Sequence, residues 1–520
     1  MNWKKVLRYA LLSLLLLTIA SAAWMQYGLI DMYGGLTERV DSQQFHPTTG
    51  PVAITNVEVL APDAESFLSG QTVILEGGVI TSIGEDALTS SLHRIDGTGK
   101  YLIPGMTDAH VHLFKSSNDL LLYVANGITQ IRELIGEPAH LKWRDQIKEG
   151  QRIGPDMYVA SPRLGTFGRF EGWFMSWSQG FDNIRNPKAA RKAVRRYQRM
   201  GYDGIKVYSQ LSSESYHALC ETAQAIDMPI MGHVPFRVGL EEIYTSGQKD
   251  IAHFEEVMNA LNREFGYYNG ETAPQFLAFV EERIDEVARQ LVARGITVTS
   301  TMWGTEHLVE QKFELESFLS KVKLEYENPG ISEWSTMVPR GGLGWLPHVN
   351  RYQLPKGLTV DERAGRKTHW EAYAAAEQLV AEKFIDYGVK IMAGTDANLP
   401  VRVPGFSLFD EFESLQATGM SPAQVLRSTT ATPAEWMHNN AGRIEVGRKA
   451  NLVLLDENPL QDIRNTREIN AVVLNGRVFD RTLLDEMLEA VKTANEASRK
   501  EDISTYVHHR FEAARVPHVH

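Results

Sequence analysis

The stretch YLIPGMTDAHVHLF, Tyr101 to Phe114, starts as an apolar strand and breaks at Pro104-Gly105. It then sets Asp108, His110 and His112 at every second position. Side chains two apart in a strand point the same way. His110 and His112 therefore converge, while Ala109 and Val111 face the other side. Two neutral imidazoles side by side suit half of a metal site; a pair of hydrogen-bonded core histidines is the plainer alternative. The rest of the chain has to decide between them.

Outward from this stretch, residues 103–440 repeat one pattern, a short apolar strand followed by a helical stretch. Eight strands are predicted, at TDAHVHL, ITQIREL, DMYVASP, GIKVYSQ, PIMGHVP, DIAHFEE, ITVTSTM and VKIMAGTDA. Eight βα units imply an α/β fold of the TIM (β/α)8 barrel type, in which functional residues stand at the C-terminal ends of strands. Those ends are unusually polar. Besides His110 and His112 they carry Lys206 on strand four, His233 on strand five, His253 on strand six and Asp396 on strand eight. A lone histidine in a strand is usually a satisfied core residue and a lone lysine is usually exposed. Six such groups at one rim resist separate explanations, because unpaired buried ions cost several kcal/mol each. Metal coordination holds them together at the least cost.

This set resembles the amidohydrolase superfamily over roughly residues 50–482. The opening motif IPGMTDAHVHL, the final barrel helix STTATPAEWM and the return NNAGRIEVGRKANLVLLDENPL are similar to that superfamily's, although Asn451 stands where its members usually have Asp. Within it the chain looks most like the imidazolonepropionase-related, prolidase-like group with a strand-four lysine. The resemblance implies a distorted barrel (103–440, with an insertion at about 303–382) and a small β-sandwich domain built from both chain ends (50–102 plus 441–482). It also implies a carboxylated Lys206 bridging two divalent metals, since an ammonium has no lone pair to offer a cation. His110, His112 and Asp396 would hold one metal, and His233 and His253 the other. Zinc is the default, with manganese, cobalt or iron fitting the same donors, and carbon dioxide is needed for the lysine. The implied reaction is hydrolysis of an amide or peptide C–N bond in a small substrate, dipeptide-like or acyl amino acid-like. A metal-bridging hydroxide attacks, and Asp396 takes up the proton and passes it to the leaving amine. A one-metal deaminase, which lacks the bridging lysine, and a lactone or phosphoester hydrolase remain alternatives. Tyr208, two beyond Lys206, is a candidate substrate contact. Val234-Pro235-Phe236 lacks the polar groups that prolidase-type relatives often carry after the strand-five histidine.

Bulk properties restrict the remaining choices. A net charge of -12 argues against nucleic acid as a partner. The basic run Lys188 to Arg199 reads as a solvated helix face. A single cysteine, Cys220, excludes an intrachain disulfide and a thiolate zinc site. Residues 1–30 carry Lys4, Lys5 and Arg8 before a long apolar run. This is read as an export signal, cleavable after Ala20-Ser21-Ala22, or as an uncleaved membrane anchor. Either places the protein outside the cytoplasm, in the periplasm or on the membrane facing it. Aromatic, Gly-rich loops at 163–183 and after strand six suggest an enclosed mouth. His307, His348 and His369 lie in the insertion, away from strand ends. The piece 483–520, with His508, His509, His518 and His520, is expected to be a helical tail, solvent-exposed or contacting another subunit. A homo-oligomer is left open.

Overall fold

Strands begin at the N-terminal end of the body with β1 (Val52–Leu60), β2 (Phe67–Glu76), β3 (Val79–Gly84), β4 (His93–Asp96) and β5 (Tyr101–Pro104). The structure, a computed structural model, describes residues 3–84, 92–333, 343–350 and 352–507. The tail histidines His508, His509, His518 and His520 fall outside the described residues.

The centre is α/β. Its strands are β6 (Met106–Val111), β7 (Ile128–Glu133), β8 (Asp156–Val159), the two-residue β9 (Leu164–Gly165) and β10 (Asp182–Asn183), β11 (Ile205–Val207), β12 (Ile230–Gly232), β13 (Asp250–Ala252), β14 (Thr297–Thr299) and β15 (Ile391–Met392). All eight strands expected from the βα pattern are present. They pair in parallel, as β6-β7-β8 and as β10-β9-β11-β12-β13-β14-β15. Backbone hydrogen bonds connect the two sheets at both edges. Ser161 N–H donates to Gly204 C=O at 2.9 Å, and Ala109 N–H donates to Ala393 C=O at 2.9 Å. The strands are short apolar runs because both faces are covered, as parallel sheets require. Cys220 is part of this core, buried in the helix Ser213–Gln224, and burial pushes its thiol up to about 12.

The return strands β16 (Leu452–Leu455), β17 (Ile469–Leu474) and β18 (Arg477–Asp480) join the first five in one mixed sheet, in the order β18-β17-β16-β5-β1-β2-β3, with β4 also on β1. The sequence predicts a sandwich here; the described strands are hydrogen-bonded into one sheet. Strand alternation divides β16 between two cores: Leu452 and Leu454 pack with Val52, Ile54 and Val73, while Val453 and Leu455 join the large central core. One face thus closes the small domain and the other seals it to the α/β body.

The C-terminal piece differs from the expected exposed tail. The helix Arg481–Ser498 buries Leu484, Met487, Val491 and Ala494, spaced for one helical face, within the main body. Beyond it Arg499 pairs with buried Glu333 at 3.1 Å, and Lys500 with Asp31 at 2.6 Å. The polar spacing read from the sequence is the opposite face of that helix.

Gly232, at the end of β12, has φ +125°, and a Cβ there would lie 2.2 Å from Val207 O and 3.0 Å from Lys206 Cδ. Gly232→Ala is expected to destabilise the protein by at least ~2 kcal/mol through overpacking. Gly295→Ala, at φ +62° with nothing within 4 Å, should cost only about 1 kcal/mol. Thermal or denaturant unfolding of the two variants checks the difference.

Candidate metal centre

The six candidate residues come together at the C-terminal ends of their strands. His110 lies on β6 and His112 just past it; Lys206 is the middle residue of β11. His233 and His253 directly follow β12 and β13, and Asp396 follows β15 by four residues. Asp396 N–H donates to His110 C=O at 2.8 Å, so strand eight is tied to strand one at the site itself. Asp396 Oδ1 is then 2.8 Å from His112 Nε2 and 3.3 Å from His110 Nε2. These three groups offer ligand atoms within 4.8 Å of one another. The His110 and His253 rings are 4.4 Å apart, and those of His233 and His253 5.3 Å.

Asp108 shares the spacing of the two histidines but has a different task. Its carboxylate accepts from Thr395 N–H at 3.0 Å, Thr395 Oγ1 at 2.7 Å and His110 N–H at 3.2 Å, clamping strand eight against strand one. Burial pushes its carboxyl up to about 7.

Groups behind the imidazoles fix their orientation. Ser209 Oγ lies 2.6 Å from His233 Nδ1, with Glu256 Oε1 3.1 Å from the same nitrogen. Thr301 Oγ1 lies 2.6 Å from His253 Nδ1. With Nδ1 engaged in each ring, Nε2 is the free donor, the arrangement that metal-ligating histidines use. Three residues here hold positive φ without being glycine, namely His253 (75°), Thr301 (58°) and Asp396 (58°). Such strain persists where surrounding structure enforces it, and it gathers at functional sites.

The donors fit a cation better than they fit one another. Both ring nitrogens of His110, Nδ1 of His112 and Nζ of Lys206 are buried without a hydrogen-bond partner. Native interiors rarely tolerate such orphans. Burial, followed by the nearby Lys206, pushes His110 well below the usual imidazole range, and burial does the same to His253. Both are thus neutral, with lone pairs available. Burial opposes ionisation of Asp396, but the cationic groups beside it, His112 and Arg402 among them, outweigh burial and hold the carboxyl well below its usual range. Burial brings Lys206 down to about 8, against the pull of Asp396. Neutral imidazoles, an ionised carboxylate and a readily deprotonated amine form a donor set for a divalent metal.

A cavity of about 350 Å³ opens over this cluster. Tyr208, the candidate substrate contact, lines it with its ring stacked on His233 at 4.2 Å. Sequence reasoning passed over four further groups. Arg163 lines the cavity from the aromatic loop and stacks on Phe181 at 4.7 Å. Arg402 places a guanidinium nitrogen 3.6 Å from Asp396 Oδ2. Glu133 lies 3.9 Å from His112 Nδ1, and Glu256 supports His233. Glu133 ends strand two and Glu256 follows His253 by three residues, so the strand-end rule applied to acids would have found both. Arg402 comes from a loop and gave no signal. His307, His348 and His369 contact Trp303 C=O, Glu501 and Tyr268, away from the centre.

Parallel strands that deliver imidazoles, a lysine and an aspartate to one buried point define a hydrolase of the metal-dependent type. The sequence pattern of the Amidohydrolase family matches residues 101–479, and the chain belongs to that family. It is an amidohydrolase acting on carbon–nitrogen bonds. It is 21% identical to the ochratoxinase of Aspergillus niger over 488 residues, covering 81% of this chain and 84% of the relative. It is also 21% identical over 467 residues to a 5-methylthioadenosine/S-adenosylhomocysteine deaminase of Caldanaerobacter subterraneus subsp. tengcongensis, covering 82% and 92%. Among solved structures, a Xaa-Pro dipeptidase with methionine bound in its active site superposes with TM-score 0.58 at 17% identity, covering 83% of this chain and all of that one.

Thr301→Val keeps the shape of that residue but removes the hydroxyl beside His253. It is expected to lower metal affinity ~10–100-fold with the fold intact. Chelator competition followed by metal analysis reads this directly.

Proposed function

We propose that the protein is a two-metal amidohydrolase, cleaving an amide or peptide bond of a small molecule at the mouth of a distorted (β/α)8 barrel. The observation that carries the reading is Lys206 Nζ, fully buried and without a hydrogen-bond partner, on a strand beside those that carry the histidines and Asp396. An ammonium left there would cost several kcal/mol. Reaction with carbon dioxide removes that cost. The neutral amine attacks the carbon, an N–C bond forms, and the released proton passes to solvent. The product is an anion with two oxygens.

On this reading His110, His112 and Asp396 would hold one divalent ion, His233 and His253 would hold the second, and carboxylated Lys206 would serve both. Zinc suits these donors, and manganese, cobalt or iron would fit. When bound, such a pair supplies a water that ionises near neutral pH and a polarised substrate carbonyl. Asp396, kept ionised by His112 and Arg402, accepts the proton of the attacking water. It returns that proton to the amine nitrogen as the C–N bond breaks, leaving a carboxylate and an amine. This acid–base work is typically worth ~10²–10⁴-fold. Tyr208 and Arg163 stand on the cavity wall where they orient the substrate. The dipeptidase likeness and the amidohydrolase family support a dipeptide-like or acyl amino acid-like substrate. The apolar N-terminal helix supports export, with the enzyme outside the cytoplasm.

One observation favours a one-metal deaminase: only His110, His112 and Asp396 form the tight ligand group among the described residues. Metal content separates the two readings, at two ions per chain against one. Lys206→Ala is expected to lose the second metal and nearly all hydrolysis. Short carboxylates in the medium should restore both in part by bridging in the vacated space, whereas Lys206→Arg should fail because guanidinium offers no acceptor. One ion in the parent enzyme, unchanged in Lys206→Ala, would rule out the two-metal reading. Asp396→Asn should keep much of its metal while losing ~10²–10⁴-fold in turnover, and near-parental turnover would remove Asp396 as the proton acceptor.

A further inference from the structure

The N-terminal helix Trp3–Met32 is exposed along its whole run from Trp3 to Tyr27. At ~1.5 Å per residue that run is ~37 Å long, more than the ~30 Å hydrocarbon core of a bilayer. The helix then enters the protein. Gly28, Asp31 and Met32 are buried, and Met32 and Tyr33 line the catalytic cavity. The junction is closely fitted. Lys115 N–H donates to Tyr33 C=O at 2.9 Å, and Asn328 Nδ2 donates to Gly34 C=O at 3.2 Å. Asp31 pairs with Lys500 at 2.6 Å. Trp24 and Tyr27 are each 56% exposed, as aromatic residues are at the level of lipid headgroups. From Tyr27 to Met32 is five residues, ~7.5 Å along the axis. A bilayer around the helix would therefore lie close over the catalytic mouth.

A second feature points to the same plane. The helix Arg169–Gln179 buries only Gly172 and exposes Phe170 (81%), Trp173 (62%) and Phe174 (47%), with Trp173 and Trp177 stacked at 6.1 Å. Exposed aromatic surface of this kind marks an interaction site, and bulky aromatics on a short surface helix suit the lipid interface. Its C-terminal end meets the anchor, where Tyr33 Oη donates to Ser178 C=O at 3.2 Å. Between the two helices runs a groove of about 270 Å³ walled by Leu29 and Trp177. Tyr33, Phe114, Ile135, Arg163 and Gln179 line both this groove and the catalytic cavity, so the two spaces are adjacent and these side chains stand between them.

We infer that the aromatic helix lies in the headgroup layer beside a membrane anchor, and that the groove admits amides bearing a hydrocarbon chain from the lipid phase to the catalytic cavity. The membrane contact stands by itself; the substrate class rests on the amide-hydrolase reading above.

The test uses the full chain reconstituted in phosphatidylcholine/phosphatidylglycerol vesicles. Spin labels are placed through Phe170→Cys and, as a reference on the β domain, Val446→Cys. Cys220 is buried and stays unlabelled. The label at 170 should be more accessible to oxygen than to an aqueous nickel complex, with the reverse at 446. Equal aqueous access at both positions would overturn the membrane contact, and so would membrane-extracted protein whose intact mass begins at Ala23. Trp173→Glu with Phe174→Glu should lower kcat/KM at least tenfold for a long-chain N-acyl amide in vesicles and leave a water-soluble N-acetyl amide unchanged. Equal loss on both substrates, or on neither, would overturn the entrance. If the parent hydrolyses neither amide, the proposed amide substrate fails, and label depth still decides the membrane contact.

Discussion

A buried amine without a partner constrains the rest of this structure. Lys206 sits in the middle of a short strand with apolar Ile205 and Val207 turned to the other side, so its side chain has nowhere to go but inward. An ion there demands compensation that water does not provide. The neighbouring strands supply it by presenting lone pairs and a carboxylate. The supporting layer then holds those groups still, through Ser209 and Glu256 on His233, Thr301 on His253 and Asp108 on the strand-eight loop. Backbone strain at His253, Thr301 and Asp396 marks how strongly this geometry is enforced.

Distant parts of the chain build the mouth above the site. Asn328, in the insertion, bonds Gly34 C=O, Ser116 Oγ at 2.8 Å and Thr37 Oγ1 at 2.6 Å, drawing the segment after the N-terminal helix onto the first strand's loop. Lys500 and Arg499, past the last long helix, reach Asp31 and Glu333. The insertion has an apolar core of its own, including Phe318, Leu319, Trp345 and Leu346. Three segments far apart in sequence thus meet around the mouth, while the strand ends below it carry the candidate ligands.

The sequence revealed the fold's centre well, because each of its strands is a short apolar run bounded by turn residues and followed by a helical stretch. The candidate site residues were legible for a related reason. Polar groups at the ends of buried strands are expensive and stand out, so His110, His112, Lys206, His233, His253 and Asp396 could be named together. The groups that remained hidden act across space. Arg402 reaches Asp396 from a loop with no periodicity, and Arg163 belongs to a loop whose aromatic content was legible but whose fold was not. The C-terminal helix was misread because its buried residues, Leu484, Met487 and Val491, alternate with enough charge to look solvated. Strands from both ends of the chain pair in one sheet, and the sequence does not say how that sheet is covered, since the apolar run of β16 reports two buried faces without saying what covers each.

The central claim concerns the chemical state of Lys206. Electron density at its Nζ, in a crystal of active enzyme loaded with metal, tests that state most directly. The account predicts a planar carboxylate on the nitrogen, with one oxygen towards each of two metals. A bare amine in an active enzyme with both metals bound would contradict it.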